Sequence, residues 1–178
     1  MSKKVLVISS SPRKNGNSDT LCDQFIRGAT DAGHIAEKVF LSDKKIGYCI
    51  ACCTCITESK CSQNDDMGEI IGKLIDCDVL VLATPVYFYC MSAQLKTFID
   101  RIMPRYMEIK NKKIYFILTA ADTKVASVYE TLVSLRGFIK TLPDSEEKGS
   151  VHGLGMWDMG DALDSHKMVE AYKMGKTL

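Results

Sequence analysis

The chain has 178 residues, 46% of them hydrophobic, enough for one well-buried core and short for two. Its 23 Lys and Arg against 22 Asp and Glu leave a net charge of +1, which removes any electrostatic case for nucleic acid or an anionic membrane as the main partner. No stretch approaches the roughly 20 apolar residues of a membrane span and the N-terminal apolar run is too short for a signal-peptide core, so a cytoplasmic, single-domain protein over residues 1–178 is expected.

In chain order, the first predicted strand is Lys4 to Ser9, and it runs into Ser10 Ser11 Pro12 Arg13 Lys14 Asn15 Gly16 Asn17 Ser18. A strand end followed by backbone amides, hydroxyls, a guanidinium and a helix N-terminus suits a phosphate, and Ser9, Ser10, Ser11, Asn17 and Ser18 can each offer a hydrogen bond. The loop is neither GxxxxGK[ST] nor GxGxxG, so a nucleoside triphosphatase and a dinucleotide fold are both disfavoured. An ordinary polar connection is the other reading. The helix that follows runs from Ser18 to about Ala32, buries Leu21, Phe25, Ile26 and Ala29, and stops at Gly33.

A strand at Glu37 to Leu41 leads to a cysteine-rich loop at 47–65. The next helix is capped by Asp65 or Asp66, with capping-box spacing between Asp66 and Glu69, and buries Ile70, Ile71, Leu74 and Ile75. After a strand at Val79 to Thr84 comes Pro85 Val86 Tyr87 Phe88 Tyr89 Cys90 Met91 Ser92, with three aromatics and a Met where a loop is normally polar. A flat apolar ring fits there; packing against a neighbouring helix is the alternative. Leu95, Phe98, Ile99 and Ile102 mark a helix that ends near Pro104, and a strand at Lys113 to Thr119 precedes a loop at Ala120 to Lys124. A helix at about Val125 to Leu142, a strand at Ser150 to Met156 and a helix at His166 to Met174 complete the chain.

Strands alternating with helices predict a parallel sheet covered on both faces, with ligands bound at the carboxyl ends of its strands. The loops after the first, third and fourth strands then converge. A phosphate at one and a flat ring at the next describe flavin mononucleotide. The histidines, His34, His152 and His166, read as exposed or locally paired, and hydride transfer between a nicotinamide and a flavin requires no catalytic side chain.

Eight cysteines in a reducing compartment argue against structural disulfides. Cys22 and Cys77 read as small buried hydrophobes, whereas Cys49, Cys52, Cys53, Cys55 and Cys61 crowd into thirteen residues. Cys49, Cys52, Cys55 and Cys61 have the spacing C-x2-C-x2-C-x5-C, which suits a four-iron four-sulfur (4Fe-4S) cluster. Zinc and metal-free redox thiols are the alternatives, and Cys53, adjacent to Cys52, is expected to point elsewhere.

The segment Ser10 to Ser18 resembles the GSPRKNGNT loop of the flavodoxin-like NADPH-dependent FMN reductases, with Ser10 for Gly and Ser18 for Thr. Thr84 Pro85 Val86 Tyr87 resembles that family's isoalloxazine loop, and Gly160 Asp161 with Glu170 to Lys176 resembles its C-terminal helix; the cysteine run is similar to that of the iron-sulfur flavoprotein branch. The resemblance implies an α/β, flavodoxin-like three-layer sandwich whose five-stranded parallel sheet has the order 2-1-3-4-5, with helices on both faces. It implies FMN held by its phosphate at Ser11, Arg13, Asn17 and Ser18, beside Ser9, with Pro85, Val86, Tyr87, Phe88 and Ser92 along the ring and Ala121 and Asp122 closing the other side. It also implies NAD(P)H as electron donor, a small-molecule or protein acceptor, a 4Fe-4S cluster on the four cysteines, and a homodimer or homotetramer. A flavodoxin-type electron carrier is the rival reading, disfavoured by the charge of +1 and by the cysteine loop. A receiver domain lacks its Asp at the end of the third strand, which ends Thr84 Pro85, and a low-molecular-weight phosphatase lacks C-x5-R after the first.

Overall fold

The computed structural model describes residues 1–178. Five strands form a parallel sheet: β1 (Lys4–Ser9), β2 (Ile35–Phe40), β3 (Val79–Tyr87), β5 (Lys113–Ala120) and β6 (Glu146–Leu154). Their order is β2-β1-β3-β5-β6, the order 2-1-3-4-5 expected when only the long strands are counted. A sixth, short strand, β4 (Cys90–Met91), pairs antiparallel with the end of β3, placing Val86 opposite Met91 and Tyr87 opposite Cys90. The segment after Thr84 is therefore a hairpin and not a plain loop.

The sheet is covered on both faces because its central strands are apolar at successive positions. On one face Leu6, Ile8, Leu80, Leu82, Phe116 and Leu118 pack under α3 (Met67–Asp76), α4 (Ala93–Arg101) and α5 (Tyr129–Ile139). On the other Val5, Val7, Val79, Val81 and Ile117 pack under α1 (Asn17–Asp31) and α6 (Lys167–Lys176). A side chain on Gly28 or Gly175 would lie 2.0 Å from a carbonyl oxygen of the facing helix, so glycines set the closeness of α1 and α6. That contact fixes the helix whose N-terminus follows the loop from Ser10 to Gly16.

Several boundaries differ from expectation. The last strand begins at Glu146 and not Ser150, because an edge strand can leave its first residues, Glu146, Glu147 and Lys148, partly in water. The helix expected at Val125 to Leu142 divides into a 3-10 turn at Val125–Val128 followed by α5. The capping box does not form: Asp66 Oδ2 accepts from Lys45 N at 2.7 Å, and Asp65 Oδ1 accepts from Met67 N at 3.1 Å. Within the cysteine loop lies one short helix, α2 (Thr54–Glu58). Cys22 and Cys77 are buried as expected.

Candidate functional site

At the carboxyl edge of the sheet, the loops after β1, β3, β5 and β6 enclose a cavity of about 510 Å3. That lies within the roughly 300–1,000 Å3 of small-ligand sites. One end is built by the loop from Ser10 to Gly16. Gly16 precedes α1 without a side-chain cap, and the amides of Asn17, Ser18 and Asp19 have no acceptor in the protein. Two of these free N–H groups, on Asn17 and Ser18, and the positive end of a fifteen-residue helix thus meet the cavity beside Ser11 and Arg13. A Cβ at Gly16 would lie 2.9 Å from Arg13 O and 3.0 Å from Ser11 Oγ, so only glycine lets the loop turn this tightly.

The loop is held from behind by Asp19. Its buried carboxylate accepts from Ser9 Oγ at 2.9 Å, from Asn15 N at 3.1 Å and from Lys38 Nζ at 3.0 Å. Burial lowers the Lys38 pKa, but hydrogen bonds to Asp23 and Asp19 more than reverse this and keep the ammonium charged. Ser9 is spent in this bracing and does not line the cavity, which corrects its expected place beside the phosphate. Ser92 is corrected for the same reason. It caps α4 by accepting from Leu95 N, and its hydroxyl bonds to Ser10 Oγ at 2.9 Å, so it joins the β1 loop to the β3 hairpin behind the wall.

The other end of the cavity is apolar. Pro85, Val86, Tyr87 and Phe88 form one wall, with Ala121 and Asp122 from the loop after β5 on the same cavity. The hairpin turn holds both Phe88 (φ 50°) and Tyr89 (φ 64°) in the left-handed region, where a two-residue hairpin normally carries Asn-Gly. The phenyl ring of Phe88 is fully exposed at the rim. Asp122 is turned to its own backbone, accepting from Lys124 N at 2.9 Å, while its carbonyl accepts from Gly155 N. That bond and Met156 N to Ala120 O carry Met156, Trp157 and Met159 onto the cavity wall.

The sequence pattern missed this fourth loop. Its link to the start of α1 is Asn17, whose Oδ1 accepts from Gly160 N at 3.2 Å and Ala162 N at 3.1 Å, while Nδ2 donates to Asp158 O at 2.8 Å. Asn17 lines the cavity as expected, but its amide is committed to stapling. Ser11, Arg13, Ser18, Pro85, Val86, Tyr87, Phe88, Ala121 and Asp122 also line it. Tyr89, one of the three aromatics expected to meet a ring, joins them, as do Gly16, Thr119, Ala120 and Ser127, which were not named as site residues; Trp157, the single tryptophan, directly after the last strand, was the available signal for the fourth loop.

Cys49, Cys52, Cys53, Cys55 and Cys61 line a separate cavity of about 180 Å3 together with Arg101. The Cys52 thiol is hydrogen-bonded to Ser62 Oγ at 3.1 Å and receives a bond from Thr54 Oγ1 at 3.4 Å, which push its pKa from 9.0 down to about 7. Cys53 donates to Ala51 O at 3.5 Å. In this conformation no three acidic, histidine or cysteine side chains are arranged to hold a metal ion. The donor chemistry nonetheless fits an iron-sulfur group: four thiols share one cavity wall, and the buried Arg101 Nε has no hydrogen-bond partner there.

Known proteins resemble this chain in the same terms. An iron-sulfur flavoprotein of Archaeoglobus fulgidus is 43% identical over 101 residues, 57% of this chain and 46% of the relative. Across the first five such relatives, all iron-sulfur flavoproteins, the chain spans 46 to 59% of their length. YwqN of Bacillus subtilis, provisionally described as an NAD(P)H-dependent FMN-containing oxidoreductase, is 30% identical over 184 residues, covering 94% of this chain and 93% of that protein. The fold is shared with an NAD(P)H:quinone oxidoreductase from Methanothermobacter marburgensis, with a TM-score of 0.78, 16% identity, and coverage of 99% of this chain and 96% of the other. The sequence profile of the NADPH-dependent FMN reductases matches residues 3–146, and the chain belongs to that family.

Proposed function

We propose that this protein is an FMN-dependent oxidoreductase that takes hydride from NAD(P)H and passes electrons to a quinone, flavin or protein acceptor. The observation that carries this reading is the two-ended cavity, with free helix amides and Arg13 at one end and an apolar hairpin wall at the other. Bound FMN would supply the two-electron to one-electron conversion. Ser11, Arg13, Ser18 and the first amides of α1 bind the phosphate; Pro85, Val86, Tyr87 and Phe88 exclude water from one face of the ring. Ala121 and Asp122 limit the other side, and the Trp157 loop covers the chain between. No residue is assigned a proton, because hydride transfer depends on stacking and distance.

Cys49, Cys52, Cys55 and Cys61 are the proposed ligands of a 4Fe-4S cluster, with the Cys52 thiol turning from its present partners Ser62 and Thr54 to join the other three at one centre. The exposed Tyr87, Phe88, Tyr89, Trp157 and Met159 around the cavity mouth support assembly as a homodimer or homotetramer. The test is anaerobic purification, reconstitution with FMN, iron and sulfide, and measurement of NADPH oxidation with and without a soluble quinone. Quinone-dependent turnover supports the reading. FMN binding without any NADPH oxidation would make the protein an electron carrier instead.

A further inference from the structure

Arg101 is the largest fully buried side chain in the protein, 2% exposed, although it lies in the last turn of an amphipathic helix where a cation ordinarily reaches solvent. Its guanidinium grips both ends of the cysteine loop. Nη1 donates to Gly47 O at 2.6 Å and to Gln63 Oε1 at 3.2 Å, and Nη1 and Nη2 together bind the Asp65 carboxylate at 2.7 and 2.9 Å. The frame is closed by Gly47 N, which donates to Asp65 Oδ2, and by Gln63 Nε2, which donates to Tyr48 O. All the cysteines from Cys49 to Cys61 therefore hang on a loop whose entry and exit are fixed by one cation.

The guanidinium's Nε–H donor is unused. Arg101 Nε–H is buried and has no partner, which is a costly condition for a charged group and calls for an acceptor that completes it. Cys61 lies two residues before Gln63, whose Oε1 accepts from Arg101 Nη1, and its side chain lines the same cavity as Arg101. Arg101 is the one arginine lining the cysteine cavity.

We infer that Arg101 is a positioning residue for the proposed cluster, its free Nε–H donating to the sulfur of ligated Cys61 and thereby making the cluster easier to reduce. This rests on the cluster reading above. An added electron increases the negative charge on the sulfurs, so a fixed N–H donor stabilises the reduced form more than the oxidised form, and hydrogen bonds to sulfur are an established lever on such potentials. Asp65 balances the charge of Arg101. The lever is thus the directed donor and not a net charge.

The test uses wild-type protein labelled with 15N-arginine, reconstituted anaerobically with iron and sulfide and reduced with dithionite. Iron analysis comes first, then pulsed electron paramagnetic resonance of the reduced cluster. Stoichiometric iron with a 15N coupling supports the inference; stoichiometric iron without one overturns it while leaving the cluster reading intact. Absence of iron overturns both. A second measurement uses R101M/D65N, which removes donor and counter-ion together and strands no buried charge. Its midpoint potential is expected to fall by about tenfold in the one-electron reduction equilibrium, about 59 mV. A merely structural role would lower thermal stability and leave the potential of the loaded cluster unmoved, and that result would refute the tuning.

Discussion

Replacing Asn17 by Ala removes three hydrogen bonds that hold the loop after β6 against the phosphate loop, those with Asp158 O, Gly160 N and Ala162 N. At about 1 kcal/mol net for each, the docking of that loop weakens by about 3 kcal/mol. Only one weak tie remains between the two loops' side chains and backbone, Arg13 Nη1 to Trp157 O at 3.5 Å. Because the loop can open alone, the melting temperature falls by less than the roughly 6–12 °C that full transmission would give. If the whole loss is felt at the cavity, FMN binding weakens by about a hundredfold. The assay is built into the chain: Trp157 is its single tryptophan and lies on the cavity wall, so its emission reports the loop directly. Asn17→Asp separates stapling from electrostatics. It keeps the acceptor for Gly160 and Ala162 but loses the donor to Asp158 O and adds a negative charge near the phosphate, so Trp157 emission should shift less than in Asn17→Ala while FMN affinity falls. An Asn17→Ala protein with unchanged Trp157 emission and unchanged FMN affinity would refute the stapling role.

Three further outcomes are expected. Arg13→Ala removes a charge-assisted contact to phosphate worth about 1.5–3 kcal/mol, so FMN should bind about ten- to a hundredfold more weakly by fluorescence titration. Phe88→Gly relieves a left-handed aromatic whose side chain buries nothing in the single chain; a net gain of about 1 kcal/mol should raise the melting temperature by about 2–4 °C while quinone reduction falls. For Asp65, burial would raise the carboxyl pKa, but Arg101 and the amides of Gly47 and Met67 together hold it below its ordinary value. Its stabilisation is therefore present above the unfolded-state pKa and lost as pH falls through the folded one, so Asp65→Asn should lower stability at neutral pH and flatten the acid limb of the stability profile measured by denaturant titration.

The sheet order and most of the cavity were legible because central strands such as β3 are uninterrupted apolar runs and because Ser11 to Ser18 carries its chemistry in local sequence. The β3–β4 hairpin was not, since Phe88 and Tyr89 occupy turn positions that announce themselves only when filled by Asn or Gly. Ser9 and Ser92 misled for a different reason. A hydroxyl near a ligand loop looks the same in sequence whether it faces the ligand or braces the wall, and here Asp19 and Ser10 claim them. The partners of Asn17 within the protein were not legible, because the acceptor and donors its side chain meets lie more than 140 residues away. Arg101 had no signal at all: a last-turn arginine on α4 reads as solvent-facing until the cysteine loop folds over it.

The central claim is that the cavity reads both a flavin ring and its phosphate. Calorimetric titration of flavin-free protein with FMN and, separately, with riboflavin compares two ligands that differ only in the phosphate ester. The account predicts one FMN per chain and binding of riboflavin about a hundredfold or more weaker, because the helix amides, Ser11 and Arg13 are left without their anion. Equal affinities for the two ligands, or no binding of FMN, would contradict it.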